Sequence, residues 1–209
     1  MTEPWMLGFL TSLFSMMNPL GNVGIFASLT SEQNAAETRA IAIKSAFSIF
    51  IILLISTWLG SHALAALGIT VDELRTGGGI IILIIGLRML FNNVSHAHTQ
   101  DEADDAGNRA SIATVPIAIP LVAGPGTISV VVAAAGTHDS LGDHTAITII
   151  VLILAALTGL LFSQAQRISK ALGVSGMAVV TRLMGMVLVA MAVGMVAKGA
   201  QALIPALGH

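Results

Sequence analysis

Apolar and polar positions along this chain do not alternate; they separate into long blocks. Residues 4–31, 76–87, 110–137 and 145–166 carry no charge, and residues 45–71 carry only His62 among ionisable side chains. A helix needs about 20 predominantly apolar residues to cross the hydrocarbon of a bilayer. The blocks predict six spans, roughly 6–29, 43–65, 74–91, 110–137, 145–166 and 178–200, the last with Arg182 near its start and Lys198 near its end.

Composition sharpens that picture. The chain has 209 residues, of which 55% are apolar and 10% charged, with a mean hydropathy of +0.89. Soluble domains carry about 25% charged residues, so this chain cannot cover a water-facing surface. It is too hydrophobic for disorder and too poor in Lys and Arg to track nucleic acid phosphates. Membrane lipid is its expected surrounding, and no nucleic acid partner is expected. With no cysteine, disulfides, thiolate zinc sites and cysteine nucleophiles are excluded together. The first span does not read as a secretory signal: Glu3 is the one charge ahead of it, and its apolar stretch is too long.

Orientation follows from the basic residues. Arg39, Lys44, Arg88, Arg109, Arg167, Lys170 and Arg182 fall on loops 1–2, 3–4 and 5–6 with their flanks, and only Arg75 and Lys198 fall on the other side. This places the odd-numbered loops in the cytoplasm and both termini in the periplasm. Trp5 and Trp58 then share the outer interface, where indoles prefer to sit. The longest polar segment, Asn92–Arg109, holds Asp101, Glu102, Asp104, Asp105 and the pair His96 and His98. Imidazoles and carboxylates can bind divalent metals, but such a charged run reads as a solvated linker, and no metal or other cofactor is expected. The chain divides into residues 1–91, a polar cytoplasmic linker at 92–111, and residues 112–209.

Two features recur at nearly one offset. Asn18-Pro19-Leu20-Gly21 lies in the first span and Gly124-Pro125-Gly126 in the fourth, their prolines 106 residues apart. Arg75, three residues before Gly78, is matched 107 residues later by Arg182, three before Gly185. Three spans separate equivalent positions, so the halves must be upside down relative to each other, an arrangement known from transporters. The expected fold is an all-α membrane protein, with six transmembrane helices as an inverted 3+3 repeat and helices 1 and 4 broken.

The breaks carry the candidate chemistry. Proline removes a backbone donor, and unwound backbone at membrane depth is tolerated only inside protein or beside water. Each break starts a half-helix with exposed N–H groups and a positive dipole end. Pro116 and Pro120 precede Pro125, and Thr127 and Ser129 stand where they could cap the second half of span 4. The candidate binding residues are Asn18, Pro19, Gly21 and Asn22 at the first break, and Gly124, Pro125, Gly126 and Thr127 at the second. Such breaks free N–H groups around 21–23 and 126–128 and carbonyls near 15–18 and 121–124. Arg75 and Arg182 either gate an entrance each or snorkel to phosphate headgroups.

No Asp or Glu falls in a span core, which argues against a carboxylate proton relay. Gly173-Val174-Ser175-Gly176 resembles the serine motif of rhomboid proteases, but no histidine stands inside a span to activate the serine, and the motif reads as a turn before span 6. No enzyme activity is expected. The methionines read as apolar filler, and Gly77-Gly78-Gly79 as a close-packing face of span 3.

Asn18-Pro19-Leu20-Gly21, the run Leu74-Arg75-Thr76-Gly77-Gly78-Gly79, Gly86-Leu87-Arg88-Met89-Leu90, and Val115 through Thr127 together resemble the MarC family over essentially the whole chain. The resemblance implies a multi-pass protein of the bacterial inner membrane, related to transporters of small neutral amino acids, some of them exporters. It departs from the family pattern at Asn22-Val23-Gly24, where a second proline is expected. The leading expectation is a secondary transporter, an exporter as some of the family are, with a small neutral amino acid as substrate and a homo-oligomer as its assembly. A passive small-solute channel and a non-transporting membrane interaction protein are the alternatives.

Overall fold

The structure, a computed structural model, describes residues 4–91 and 122–203. Every regular element among them is an α-helix: α1 (Pro4–Met17), α2 (Pro19–Leu29), α3 (Ala35–Leu67), α4 (Val71–Phe91), α5 (Pro125–Thr137), α6 (Leu141–Ser163) and α7 (Ala165–Leu203). The polar linker at 92–111 and the first half of the fourth span, with Pro116 and Pro120, lie outside the described residues.

Local sequence explains where the long helices begin. Asn34 accepts from the N–H groups of Ala36 and Glu37, both at 3.0 Å, while Glu37 accepts from the Asn34 N–H. This reciprocal box satisfies donors that a helix start leaves open. It begins α3 eight residues before the apolar block. Thr70 with Glu73 starts α4 the same way, and Ser140 caps the Asp143 N–H of α6 at 3.1 Å. Each cap contributes about 1 kcal/mol. Gly68 ends α3 in a left-handed conformation, φ 69°, which glycine adopts without a Cβ clash.

Four described helices, α3, α4, α6 and α7, are long and apolar enough to cross a membrane. The chain from 165 to 203 is helical on both sides of the turn expected at Gly173-Val174-Ser175-Gly176. Its one departure is Gly173 at φ 64°, ψ 179°, so a sharp break stands where the Gly-Val-Ser-Gly motif begins. α1 and α2 have 14 and 11 residues, about 21 and 16 Å at 1.5 Å per residue. Neither can cross alone; only the two in series can.

α3 packs on α6 and α4 on α7, while α2 lies against α6 and α7 and α5 against α3 and α4. α4 and α7 run antiparallel, because Gly79 meets Met195 and Val196 whereas Gly86 meets Val189 and Gly185. At that crossing a Cβ on Gly86 would lie 3.0 Å from the Gly185 carbonyl, and a Cβ on Gly185 equally close to the Gly86 carbonyl. Small residues let the backbones approach, as membrane helices require. The expected glycine face of α4 holds at Gly78, against Ser129, and at Gly79, against α7, but Gly77 has nothing within 4 Å.

Two apolar clusters fill the interior. The larger joins α1, α2, α3, α5 and α6 around Leu13, Met17, Phe26, Ile49, Val131 and Phe162, with the Phe26 and Phe162 rings stacked at 4.4 Å. The smaller gathers Met16, Ile82, Leu188 and Ala192, with Met89, Met191 and Met195 packed on it. Trp5 stacks on His138 at 4.1 Å, and Trp58 donates to Thr148 at 3.1 Å beside the His144 ring. Both tryptophans therefore sit on the same connection, at one end of the molecule.

Candidate functional site

The first break is a single residue. Asn18 has φ 44° and ψ 51°, and it is the sole non-glycine with positive φ among the described residues. Asparagine tolerates this region better than most residues. Pro19 follows as the first residue of α2, where its fixed φ suits a helix start and its missing N–H costs nothing. The Asn18 N–H still donates to the Phe14 carbonyl, and the Asn22 N–H donates to the Asn18 carbonyl, both at 3.1 Å. The chain turns without abandoning its backbone bonds.

The Asn18 side chain is buried, at 4% exposure. Its Oδ1 accepts the Gly21 N–H at 3.2 Å, and its Nδ2 points at the Met89 sulfur at 3.6 Å. Gly21 is there to make room: a Cβ would sit 2.5 Å from both Oδ1 and Nδ2. Asn22 is also buried and donates from Nδ2 to the Met17 carbonyl at 3.1 Å. The Gly21 and Asn22 N–H groups, expected to be open to a ligand, are thus taken by Asn18 itself.

The second break differs. Gly124 precedes α5 in extended conformation and brings no side chain to cap it, and Pro125 takes the first helical position. Thr127 and Ser129, expected to cap this start, do not. Thr127 donates its hydroxyl to the Val122 carbonyl at 2.7 Å and Ser129 donates to the Gly126 carbonyl at 2.8 Å. A short side chain beyond the N-cap reaches carbonyls of the preceding turn more easily than N–H groups ahead of it. The first N–H in α5 to find its helical carbonyl is that of Ile128, on Gly124. The N–H groups of Gly126 and Thr127 lie before it, in a buried stretch. Gly126 is pressed against α4, since a Cβ there would lie 2.2 Å from Ile82 Cδ1.

α4 works as a ruler between the breaks. Gly136 near the end of α5 meets Val71, Gly126 at its start meets Gly78 and Ile82, and Asn18 meets Met89. The two starts are therefore offset by seven to eleven residues, about 10–16 Å along α4. α5 runs from its break toward the tryptophan end. α2 runs the other way, toward Thr30, whose carbonyl accepts the Gln166 side chain at 2.8 Å. The two helices thus run in opposite directions from their starts, that of α2 already capped by Asn18 and that of α5 without a side-chain cap. The smaller cluster, with Met16, Ile82 and Met89, lies at the level of these starts.

The positive dipole end of α5, which no side chain caps, favours an anionic group beside it. Buried polar side chains among the described residues are all Asn, Ser or Thr, so no buried carboxylate or ammonium competes. Among the described residues no group of His, Asp and Glu could hold a metal, and the acidic linker lies outside them. Arg75 pairs with Asp72 on its own helix and is 26% exposed; Arg182 is exposed on α7.

Met89 and Gln166 escape sequence reasoning. Gln166 also donates to Thr38 Oγ1 at 3.2 Å, which joins the start of α7 to the α2–α3 connection. Partners 71 and 128 positions apart leave no periodic mark in a chain.

A family model described as MarC family integral membrane protein matches residues 4–204. The chain is 39% identical to the membrane protein YvbG of Bacillus subtilis over 198 residues, 94% of each chain. It is 32% identical to the membrane protein YhcE of Escherichia coli over 200 residues, 95% of this chain and 93% of that one. It is 32% identical to the inner membrane protein MarC of Citrobacter koseri over 202 residues, 91% of each. No solved structure matches.

Proposed function

We propose that this chain, which belongs to the MarC family of integral membrane proteins, is a secondary transporter that exports small neutral amino acids. It works by alternating access around a midplane site between the two broken helices. One observation carries the reading: α2 and α5 run in opposite directions from proline starts at buried Asn18 and Gly126, both of which touch α4.

The neighbours of each helix support an inverted repeat. α2 leans on α6 and α7, α5 leans on α3 and α4, and the pairs α3–α6 and α4–α7 face each other. Each half-helix thus packs on the two later spans of the other half, as a pseudo-twofold axis in the membrane plane requires. The tryptophan end is assigned to the periplasm, together with both termini, on the distribution of Lys and Arg.

In this site the carboxylate of an amino acid takes the Asn18 amide, since the Gly126 and Thr127 N–H groups lie too far along α4 to share it. The ammonium takes the second lone pair of a backbone carbonyl near the same break, such as that of Met17. Each charge-assisted bond contributes about 1.5–3 kcal/mol. Proteoliposomes test the reading: a carrier shows saturable alanine uptake and counterflow, whereas a pore shows neither saturation nor exchange. Small neutral amino acids compete with alanine, and alaninamide does not. Equal competition by alaninamide would show that no carboxylate is read.

A further inference from the structure

Asn18 is held on three sides. Its backbone is left-handed, Pro19 fixes the next residue, and its Oδ1 is pinned by the Gly21 N–H. That last bond decides which way the amide lies, because only the oxygen can accept an N–H. Nδ2 must therefore point away from α2, toward α4, in a place that water does not reach at 4% exposure. There it meets the Met89 sulfur at 3.6 Å. A thioether is a weak acceptor, on an unbranched side chain with three rotatable bonds. An aimed, buried amide donor thus rests on the acceptor most easily displaced by a carboxylate oxygen.

Met89 is also more than a neighbour of Asn18. It is partly buried and packs on the cluster of Met16, Ile82 and Leu188, at the level of the α2 start. A side chain leaving Asn18 has this cluster to move along. Once displaced, it would line the space beside the ligand's own side chain.

Resting on the amino acid reading above, we propose that Met89 is a specificity-determining plug: it occupies the Asn18 donor in the empty protein, yields to the substrate carboxylate, and then limits the substrate side chain. Two substitutions separate its roles. Met89→Leu keeps volume and removes the acceptor, so the empty state no longer competes with ligand. Met89→Ala removes both acceptor and wall.

Equilibrium binding of radiolabelled alanine to the purified full chain, with leucine as competitor, tests this. Met89→Leu is expected to bind alanine about threefold more tightly, the loss of one weak hydrogen bond from the empty state. Met89→Ala is expected to improve leucine relative to alanine by about tenfold or more, since several buried methylenes gain room. Met186→Leu, on an exposed face of α7, is expected to change neither. If the unmodified protein binds alanine but Met89→Leu leaves its affinity within error and the leucine ranking is unmoved, Met89 is packing alone. If the unmodified protein binds no amino acid, the transport reading falls, and the plug with it.

Discussion

Replacing Gly21 by alanine sets two effects of similar size against each other. Position 21 is the third residue of α2, inside the helix and without positive φ. On helix propensity alone, alanine is favoured there by up to about 1 kcal/mol. The structure adds a cost. The new Cβ would lie 2.5 Å from Asn18 Oδ1 and Nδ2 and 2.8 Å from Cγ, so the amide must swing away. Its bond to the Gly21 N–H goes with it, a loss of about 0.5–2 kcal/mol. The two nearly cancel, so thermal unfolding of Gly21→Ala should shift little. Function should not follow stability. With the cap gone, Nδ2 is no longer aimed, and one charge-assisted bond of about 1.5–3 kcal/mol is lost to the ligand. Alanine binding should weaken about 10- to 150-fold, and counterflow at low substrate should fall in step. Gly8→Ala is the control, because nothing lies within 4 Å of its Cβ. Parent-like affinity in Gly21→Ala would refute the assignment of the Asn18 amide to the site.

Gly126→Val and Asn18→Leu should each cripple alanine counterflow, the first because even a Cβ meets Ile82 at 2.2 Å, whereas Ser175→Ala, at an exposed position, should leave it unchanged. A phosphatase fused after His209 should be active in the periplasm and one inserted within 92–109 inactive; the reverse pattern would invert the proposed orientation. Gln166→Leu leaves the buried Thr38 hydroxyl and Thr30 carbonyl without their shared donor, at about 1–3 kcal/mol. The purified variant should melt lower by about 2–4 °C for each kcal/mol lost, and an unchanged melting temperature would show the contact to be idle.

Membrane character, the apolar helices α3, α4, α6 and α7 and the bend at Asn18-Pro19 were legible in the chain, because each depends on a few adjacent residues. Transfer of a run such as Ile80–Ile85 into lipid is settled by its own side chains, and Pro19 removes a donor wherever it stands. Capping followed the same logic at Asn34 and Glu37, whose box forms between residues three apart.

The site itself was legible only in outline. Two similar breaks suggested two similar anion cradles, yet Asn18 caps α2 from within while Gly124 leaves the start of α5 without a side-chain cap. Thr127 and Ser129 turned back to carbonyls behind them, a choice made by local geometry that residue type does not reveal. Tertiary structure alone decided that Asn18 meets Met89, that Gly126 meets Ile82, and that Gln166 ties α7 to Thr30 and Thr38. The sequence determined which described helices are apolar enough to cross a membrane and that the chain bends at Asn18, since those free energies are local. Which donor faces which acceptor depends on how helices distant in the chain cross, and only packing of the whole bundle sets that.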